Sequence, residues 1–82
     1  MATYIPRGVC SSRIDFDVDE NGLVFNVKFT NGCAGNTAGL AKLAEGRPAV
    51  ELIALLKGVP CGLRGTSCPD QLARALEAEL AK

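Results

Sequence analysis

The sequence predicts an α+β domain in which an N-terminal antiparallel β-hairpin is followed by three short helices packed on its apolar face. Two observations support this fold class. Apolar and polar residues alternate over residues 12–30 around an Asn-Gly pair, and three later segments carry apolar residues at helical spacing between glycines and prolines. Because two strands are not stable alone in water, either the helices must cover the hairpin or a second copy of the chain must extend the sheet.

The chain length indicates a single domain. Residues 1–82 are too few for two hydrophobic cores, and 48% of them are apolar, which is ample for a globular fold. A core of this size is marginally stable by itself, so a metal ion or a disulfide would add stability. The four cysteines are the candidates for that role.

The hairpin prediction rests on Asn21-Gly22 as a two-residue type I′ loop, since both residues tolerate positive φ. The register that follows places three apolar pairs on one face: Val18 with Phe25, Phe16 with Val27, and Ile14 with Phe29. The other face carries a ladder that we expect to be exposed: Asp17 with Asn26, Asp15 with Lys28, and Arg13 with Thr30.

The same register, extended to the open end of the hairpin, brings two cysteines together. Cys10 falls opposite Cys33 on the buried face. Side chains directly opposite each other in an antiparallel pair have Cβ atoms roughly 4.5–5.5 Å apart. The hairpin is therefore predicted to supply half of any four-cysteine site.

Capping residues and helix-ending glycines in the sequence predict where the three helices begin and end. Asn36 is expected to cap a helix over residues 37–45, which Gly46 ends, with Leu40, Leu43 and Ala44 facing inward. The second helix is predicted over residues 48–57 and ends at Gly58. Its apolar residues cover most of its girth, which indicates burial on more than one side. The third is predicted over residues 69–81, with an apolar stripe formed by Leu72, Ala73, Leu76 and Leu80.

A cysteine is predicted at the start of the third helix. Pro69 suits the first helical position, which makes Cys68 the N-cap and places Gln71 where a capping-box side chain reaches back to the cap. A thiol there faces unpaired backbone N–H groups and the positive end of the helix dipole, which favour a thiolate. Cys68 is therefore predisposed to bind a metal or to exchange disulfides. Asp70 is interpreted as a partner of the helix dipole.

These stretches also carry a family resemblance. The run TSCPDQLA, together with GCAGN from Gly32 and GVPCG from Gly58, looks like the TSCPD family of small four-cysteine proteins, over about Tyr4 to Leu80. That family resembles a C-terminal segment of adenosylcobalamin-dependent ribonucleotide reductases. The resemblance implies metal binding and a link to nucleotide reduction. The chain is too short to hold a radical-bearing barrel, so it would be a part or counterpart of such an enzyme and not itself a reductase.

Four thiolates in one place would form a metal site. Cys10, Cys33, Cys61 and Cys68 are the predicted ligands, with structural zinc as the leading metal and an iron–sulfur cluster as the second choice. The simpler interpretation is that they are small core residues, because free cysteine is often buried. A third hypothesis is a thiol–disulfide protein in which Cys68 attacks and another cysteine resolves.

A further hypothesis is nucleotide or phosphate binding at the turn from Gly32 to Thr37, with Arg64 reaching the anion. Backbone N–H groups at a helix start can hold an anion, and the glycines allow close approach. The stretch lacks the Lys-Ser/Thr of a P-loop, so a tight turn before a capped helix is the simpler and favoured interpretation. Arg64 has its own simpler interpretation as a solvated loop residue.

Composition excludes several other functions. Nine basic and nine acidic residues cancel, so no basic surface is expected to bind nucleic acid nonspecifically. The absence of histidine excludes imidazole catalysis, and we find no catalytic constellation. No segment resembles a signal peptide or a membrane span, so we expect a cytoplasmic protein whose thiols stay reduced. A homodimer, formed by edge-strand pairing or helix packing, and a partner from nucleotide metabolism are further expectations.

Overall fold

The computed structural model describes residues 2–9, 11–31, 34–59 and 66–82, with the backbone alone for residues 34–36. Within these ranges an antiparallel sheet with strand order β1-β2-β3 precedes three helices, which confirms the predicted α+β class. The elements are β1 (Ala2–Tyr4), β2 (Arg13–Val18), β3 (Val24–Thr30), α1 (Ala34–Ala44), α2 (Ala49–Leu56) and α3 (Cys68–Leu80).

The strand β1 was absent from the prediction. It pairs antiparallel with β2, Ala2 facing Phe16 and Tyr4 facing Ile14, so β2 becomes the central strand. Three residues are too few to show an alternating pattern, and the contacts that hold β1 are made with residues distant in sequence. In one of these contacts, the hydroxyl of Thr3 donates to Oδ1 of Asp15 at 2.7 Å.

The hairpin loop is one residue longer than predicted. The N–H of Asp19 donates to the carbonyl of Leu23 and the N–H of Gly22 to the carbonyl of Asp19, each at 3.0 Å. Gly22 has φ of +78°, which closes a three-residue loop in place of the type I′ turn. Oδ1 of Asp19 also accepts the N–H groups of Asn21 and Leu23, both at 2.9 Å. This carboxylate stabilises the longer loop.

The extra loop residue shifts the register near the turn, so the predicted register is wrong for Val18–Phe25 and Asp17–Asn26. Nδ2 of Asn26 still donates to Oδ2 of Asp17 at 2.9 Å. Val18 faces Val24 and Asp17 faces Phe25. Val24 is fully buried and Phe25 only partly, the reverse of the prediction.

A β-bulge then cancels the shift. The register changes between Asp15 and Asp17 of β2, and on β3 Asn26 has φ of +57°. Beyond the bulge the predicted pairs are confirmed: Asp15 with Lys28, Ile14 with Phe29, and Arg13 with Thr30. The predicted register therefore holds at the open end of the hairpin, although its extension to Cys10 and Cys33 lies outside the described residues.

The helices differ from their predicted bounds by up to three residues at an end. The first already begins at Ala34, so Asn36 lies within α1 and is not its cap. Gly46, at φ of +76°, follows the end of α1, and Gly58, at φ of +86°, follows α2, in agreement with the prediction. Among the helices that the structure describes, none is long and apolar enough to cross a membrane.

The core lies between the sheet and the helices. Its buried members come from β2, β3 and all three helices: Ile14, Phe16, Val24, Val27, Ala44, Ala49, Leu52, Leu72, Ala75 and Leu76. Several residues predicted to be inside are not. Leu43 and Leu80 are exposed, and α2 buries one side only, since Val50 and Leu55 face solvent. Helical spacing located these helices but overestimated the area that they bury.

Alanine substitutions at Gly22 and Gly39 can distinguish the effect of backbone strain from that of packing, because both glycines have open surroundings. A Cβ added at Gly22 or at Gly39 would meet nothing within 4 Å, but only Gly22 has positive φ. We expect Gly22→Ala to lower the free energy of unfolding by about 1 kcal/mol, because the left-handed region penalises a Cβ. Gly39→Ala, within α1, is expected to raise it by about 0.5–1 kcal/mol. Urea denaturation measures both, and equal effects of the two substitutions would contradict the assigned loop.

Candidate functional site

One of the four predicted ligands lies in the described part of the chain. Cys68 is a free thiol, partly exposed, at the start of α3. Cys10, Cys33 and Cys61 lie outside the described residues, as do Gly32 and Arg64 of the predicted anion site. The site is therefore built from Cys68 and from the residues that flank the other three cysteines.

The start of α3 differs from the prediction by one residue. Ser67 is the N-cap, with an extended backbone, and its Oγ accepts the N–H of Asp70 at 3.2 Å. Cys68 is the first helical residue and Pro69 the second, where a missing N–H also has no helical partner. The thiol still lies in the first turn of the helix, but it does not cap it.

The hydroxyl of Ser11 joins Cys68 to the open end of the hairpin. Ser11 Oγ lies 3.3 Å from Cys68 Sγ, a distance at which either atom can donate a hydrogen bond to the other. The same hydroxyl donates to the carbonyl oxygen of Asn31, also at 3.3 Å. Ser11 is only 3% exposed. It directly follows Cys10, and Asn31 precedes Cys33 by two residues.

A second serine joins the start of α3 to the segment that carries the remaining cysteine. The Ser67 hydroxyl donates to the carbonyl oxygen of Val59, which precedes Cys61 by two residues. We call Ser11, Asn31, Val59, Ser67 and Cys68 the cysteine junction. Each of the four cysteine-bearing segments contributes at least one residue to it.

A buried carboxylate lies beside the cysteine junction. Asp70 is fully buried, and its Oδ1 accepts the N–H of Gly58 at 2.6 Å. Its Oδ2 accepts the Thr66 hydroxyl and, at 2.9 Å, Nε of Arg74. Burial acts to raise the pKa of Asp70, but the hydrogen bonds from Thr66, Gly58 and Arg74 outweigh it, so the pKa lies below its usual value.

Sequence reasoning missed this role of Asp70. The sequence predicts a partner of the helix dipole at this position, whereas Asp70 is a buried residue whose carboxylate accepts hydrogen bonds from several parts of the chain. A usable signal was present for one partner, because Arg74 lies four residues after Asp70 on the same helix, the spacing at which side chains meet. Thr66 precedes the helix and gave no such signal. The Gly58 contact had no such signal, because it depends on how the chain returns to α3.

Gln71 holds the N-terminal segment against the same helix. Its Oε1 accepts the N–H of Arg7 at 3.1 Å, and its Nε2 donates to Thr66 Oγ1 at 2.8 Å. Gly8, at φ of +73°, lies so close to Thr66 that an added Cβ would be 3.2 Å from its methyl group. Gln71 was predicted to reach back to the cap of α3. Instead, it holds the N-terminal segment that leads toward Cys10.

A groove lies between β3 and α1. It has a volume of about 350 Å³ and is lined by Val27, Lys28, Phe29, Asn31, Thr37, Ala38 and Ala41. Its lining includes a cationic side chain, Lys28, and a residue of the cysteine junction, Asn31. The groove thus adjoins the described end of the predicted anion site.

The described residues do not complete a metal site by themselves. Among residues 2–9, 11–31, 34–59 and 66–82, no three side chains of His, Cys, Asp or Glu are grouped so that they could hold a metal ion. Those ranges include one cysteine of the four. The donor set of the hypothesis, four thiolates, therefore extends beyond them.

The fold and site define a class: a small α+β domain with a cysteine in the first turn of its last helix, braced by the residues of a Thr-Ser-Cys-Pro-Asp motif. The family model of the TSCPD domain matches residues 2–80, and the chain belongs to that family. A search of curated proteins and a search of solved structures each found no match.

The lowered pKa of Asp70 predicts how the free energy of unfolding changes at acid pH. A carboxylate with a depressed folded pKa contributes stability above its unfolded pKa, here 3.8, and loses it as the pH falls through the folded value. We expect Asp70→Asn to cost about 2 kcal/mol at neutral pH, from lost charged hydrogen bonds. The difference from wild type should shrink below pH 3.8.

Urea denaturation at a series of pH values measures this difference. Glu79→Gln is the control for the change in net charge, because Glu79 lies on the same helix and pairs with Lys82 at its end. A constant gap between wild type and Asp70→Asn across the acid range would contradict the assigned ionisation.

Proposed function

We propose that this domain is a noncatalytic, four-cysteine metal-binding module, in which Cys10, Cys33, Cys61 and Cys68 hold one structural zinc ion. The observation that carries the proposal is the Ser11 hydroxyl, which contacts both Cys68 Sγ and the Asn31 carbonyl. It joins Cys68 to the two chain segments that lead to Cys10 and Cys33.

Chain connectivity supports the convergence of all four thiols. Consecutive Cα atoms are about 3.8 Å apart, so a residue one or two positions from a fixed neighbour has a short reach. Ser11 is one position from Cys10, while Asn31 and Val59 are each two positions from their cysteines. Tetrahedral zinc at about 2.3 Å from each sulfur places the sulfurs about 3.8 Å from one another. Tethers this short are compatible with that spacing.

The chemistry of the donors favours zinc. Four thiolates without histidine form a closed tetrahedral set of the kind found in structural zinc sites. An iron–sulfur cluster accepts the same four ligands and is the second choice. The Ser11 hydroxyl has one hydrogen, which lies within reach of both the Asn31 carbonyl and Cys68 Sγ. Turned from the carbonyl to the sulfur, it would donate to a metal-bound thiolate and help to orient it. When bound, the metal would cross-link the hairpin to α3 and stabilise a small core.

A thiol–disulfide protein is the second candidate function. It is favoured by the state of Cys68, which is a free, partly exposed thiol in the first turn of a helix. In this function the Cys68 thiolate would attack a disulfide of a partner and form a mixed disulfide. A second cysteine, Cys61, Cys10 or Cys33, would then displace the partner's thiol and leave an internal disulfide.

The groove supports a third candidate, the binding of a nucleotide or phosphate at the turn from Gly32 to Thr37. Lys28 supplies a positive charge at the groove, and Thr37 lines its wall. A thermal-shift screen against nucleotides and inorganic phosphate tests this candidate. The absence of a shift with every compound would remove it.

The accessory role follows from the resemblance of the family to a reductase C-terminal segment. We propose that the module serves a partner in nucleotide metabolism, and that two copies associate as a homodimer. Exposed apolar side chains at Leu43, Val50 and Leu55 are compatible with such packing. Sedimentation of the purified protein over a range of concentrations tests the dimer.

Metal analysis of protein purified under reducing conditions tests the main proposal. We expect about one zinc per chain, and a loss of bound zinc when any of the four cysteines is replaced by serine. Ser12→Ala is the control, because Ser12 is an exposed neighbour of Ser11 and its hydroxyl faces Thr30 and Asn31. Metal-free protein that forms a reversible internal disulfide would favour the redox candidate instead.

A further inference from the structure

We infer that the outer edge of β3, from Val27 to Phe29, binds an extended segment of a partner protein as an additional antiparallel strand, with an acidic side chain of that segment opposite Lys28. The added strand lies beside the groove between β3 and α1. This inference goes beyond the proposed function, because it requires neither a metal nor any of the four cysteines.

The first part of the outer edge of β3 is already covered. Among the described strands, β3 has a neighbour on one side only, which is β2. On the other side, the N–H of Val24 donates to the carbonyl of Arg47, and its carbonyl accepts the N–H of Gly46. Two residues further on, the N–H of Asn26 donates to a carboxylate oxygen of Glu45. The link between α1 and α2 therefore closes this end of the edge.

The second part of the same edge has unpaired backbone groups. The carbonyl of Thr30 accepts the N–H of Ser12, so it faces β2. Because backbone polar groups alternate between the two sides of a strand, the carbonyls of Val27 and Phe29 and the N–H of Phe29 face outward. None of these three groups has a hydrogen-bond partner in the part of the chain that the structure describes. Unpaired groups along a strand edge are a template for another strand.

The groove next to this edge provides space for side chains of the added strand. Val27 and Phe29 line it from β3, and Ala38 and Ala41 line it from α1. The two alanines have short side chains, and Ala38 is exposed. When a peptide adds to a sheet edge, its main chain supplies the hydrogen bonds and pockets for alternate side chains supply specificity. The groove is such a pocket, and its lining suits an apolar side chain.

The charge of Lys28 favours a partner segment over a second copy of this chain. Lys28 is exposed in the middle of the unpaired edge, and it forms no ion pair among the described residues. Asp15, which faces it on β2, is already bound by Thr3 and Arg13. Two copies of β3 paired about Lys28 would place like charges directly opposite, which is destabilising, whereas an acidic residue there forms a favourable pair. The occupant is therefore a segment in which an acidic residue lies between apolar ones.

NMR titration of the full-length protein with synthetic peptides tests this inference. The probes are capped seven-residue peptides with a central glutamate and a threonine two positions away on either side. Valine, leucine or phenylalanine fills the other four positions, one residue type in each peptide. We expect at least one peptide to bind and to shift the amide signals of Phe29 and Ala41. Replacement of the glutamate by lysine should weaken binding by about 3-fold or more.

Backbone methylation tests the strand pairing in the wild-type protein. In the proposed pair, the N–H groups of the two peptide residues that flank the glutamate face β3, and the N–H of the glutamate faces away. N-methylation of the two flanking residues should abolish binding, whereas N-methylation of the glutamate should preserve it. Equal effects of the two modifications would contradict strand addition.

Two protein variants test the groove and the charge, each with a matched control. Ala38→Leu fills the groove and should abolish binding, whereas Ala54→Leu, at an exposed alanine of α2, should not. Lys28→Gln should remove the preference for the glutamate peptide over the lysine peptide. Lys42→Gln, at an exposed lysine of α1, should retain that preference. If Ala38→Leu does not fold, the methylated peptides decide the result on wild type.

Several outcomes would overturn the inference. One is the failure of all three glutamate peptides to bind, and another is binding that leaves the Phe29 amide unmoved. A Phe29 signal that shifts with protein concentration in the absence of peptide would assign the edge to a second copy of the chain. Displacement of the peptide by inorganic phosphate would assign the groove to anion binding. Metal analysis is a separate measurement, so each of these results leaves the zinc proposal standing.

Discussion

The ionised carboxylate of Asp70 is buried with three donors around it, and the geometry at the start of α3 depends on that arrangement. A buried charge must be compensated, so its partners cannot move independently. Gly58 and Thr66 are held through this carboxylate. Cys68, two residues away, takes its place in the first turn as a consequence.

The Thr-Ser-Cys-Pro-Asp motif can now be explained residue by residue. Thr66 donates to Asp70 and accepts from Gln71, and Ser67 caps the helix while it holds Val59. The proline occupies the first turn, where no N–H is required. The cysteine remains, partly exposed and beside Ser11. The other four residues of the motif thus build a support for one thiol.

The hairpin shows how two local irregularities can leave a distant register intact. One additional residue in the loop shifts the pairing, and the bulge near Asn26 shifts it back. Between them the faces are exchanged, so that Val24 is buried in place of Phe25. Beyond them, Ile14 pairs with Phe29 as expected. Strict alternation therefore predicts the pairing at the open end of this hairpin but not the pairing next to its loop.

The sequence by itself determined the α+β class, the three helices, the pairing at the open end of the hairpin and, to within one residue, the place of Cys68 at the start of α3. These features depend on side-chain periodicity, glycine and proline, which act over a few residues. Only the tertiary structure decided β1, the burial of Asp70 and the contact between Ser11 and Cys68. The last of these joins residues 57 positions apart, and no local pattern encodes which distant groups meet once the helices pack on the sheet.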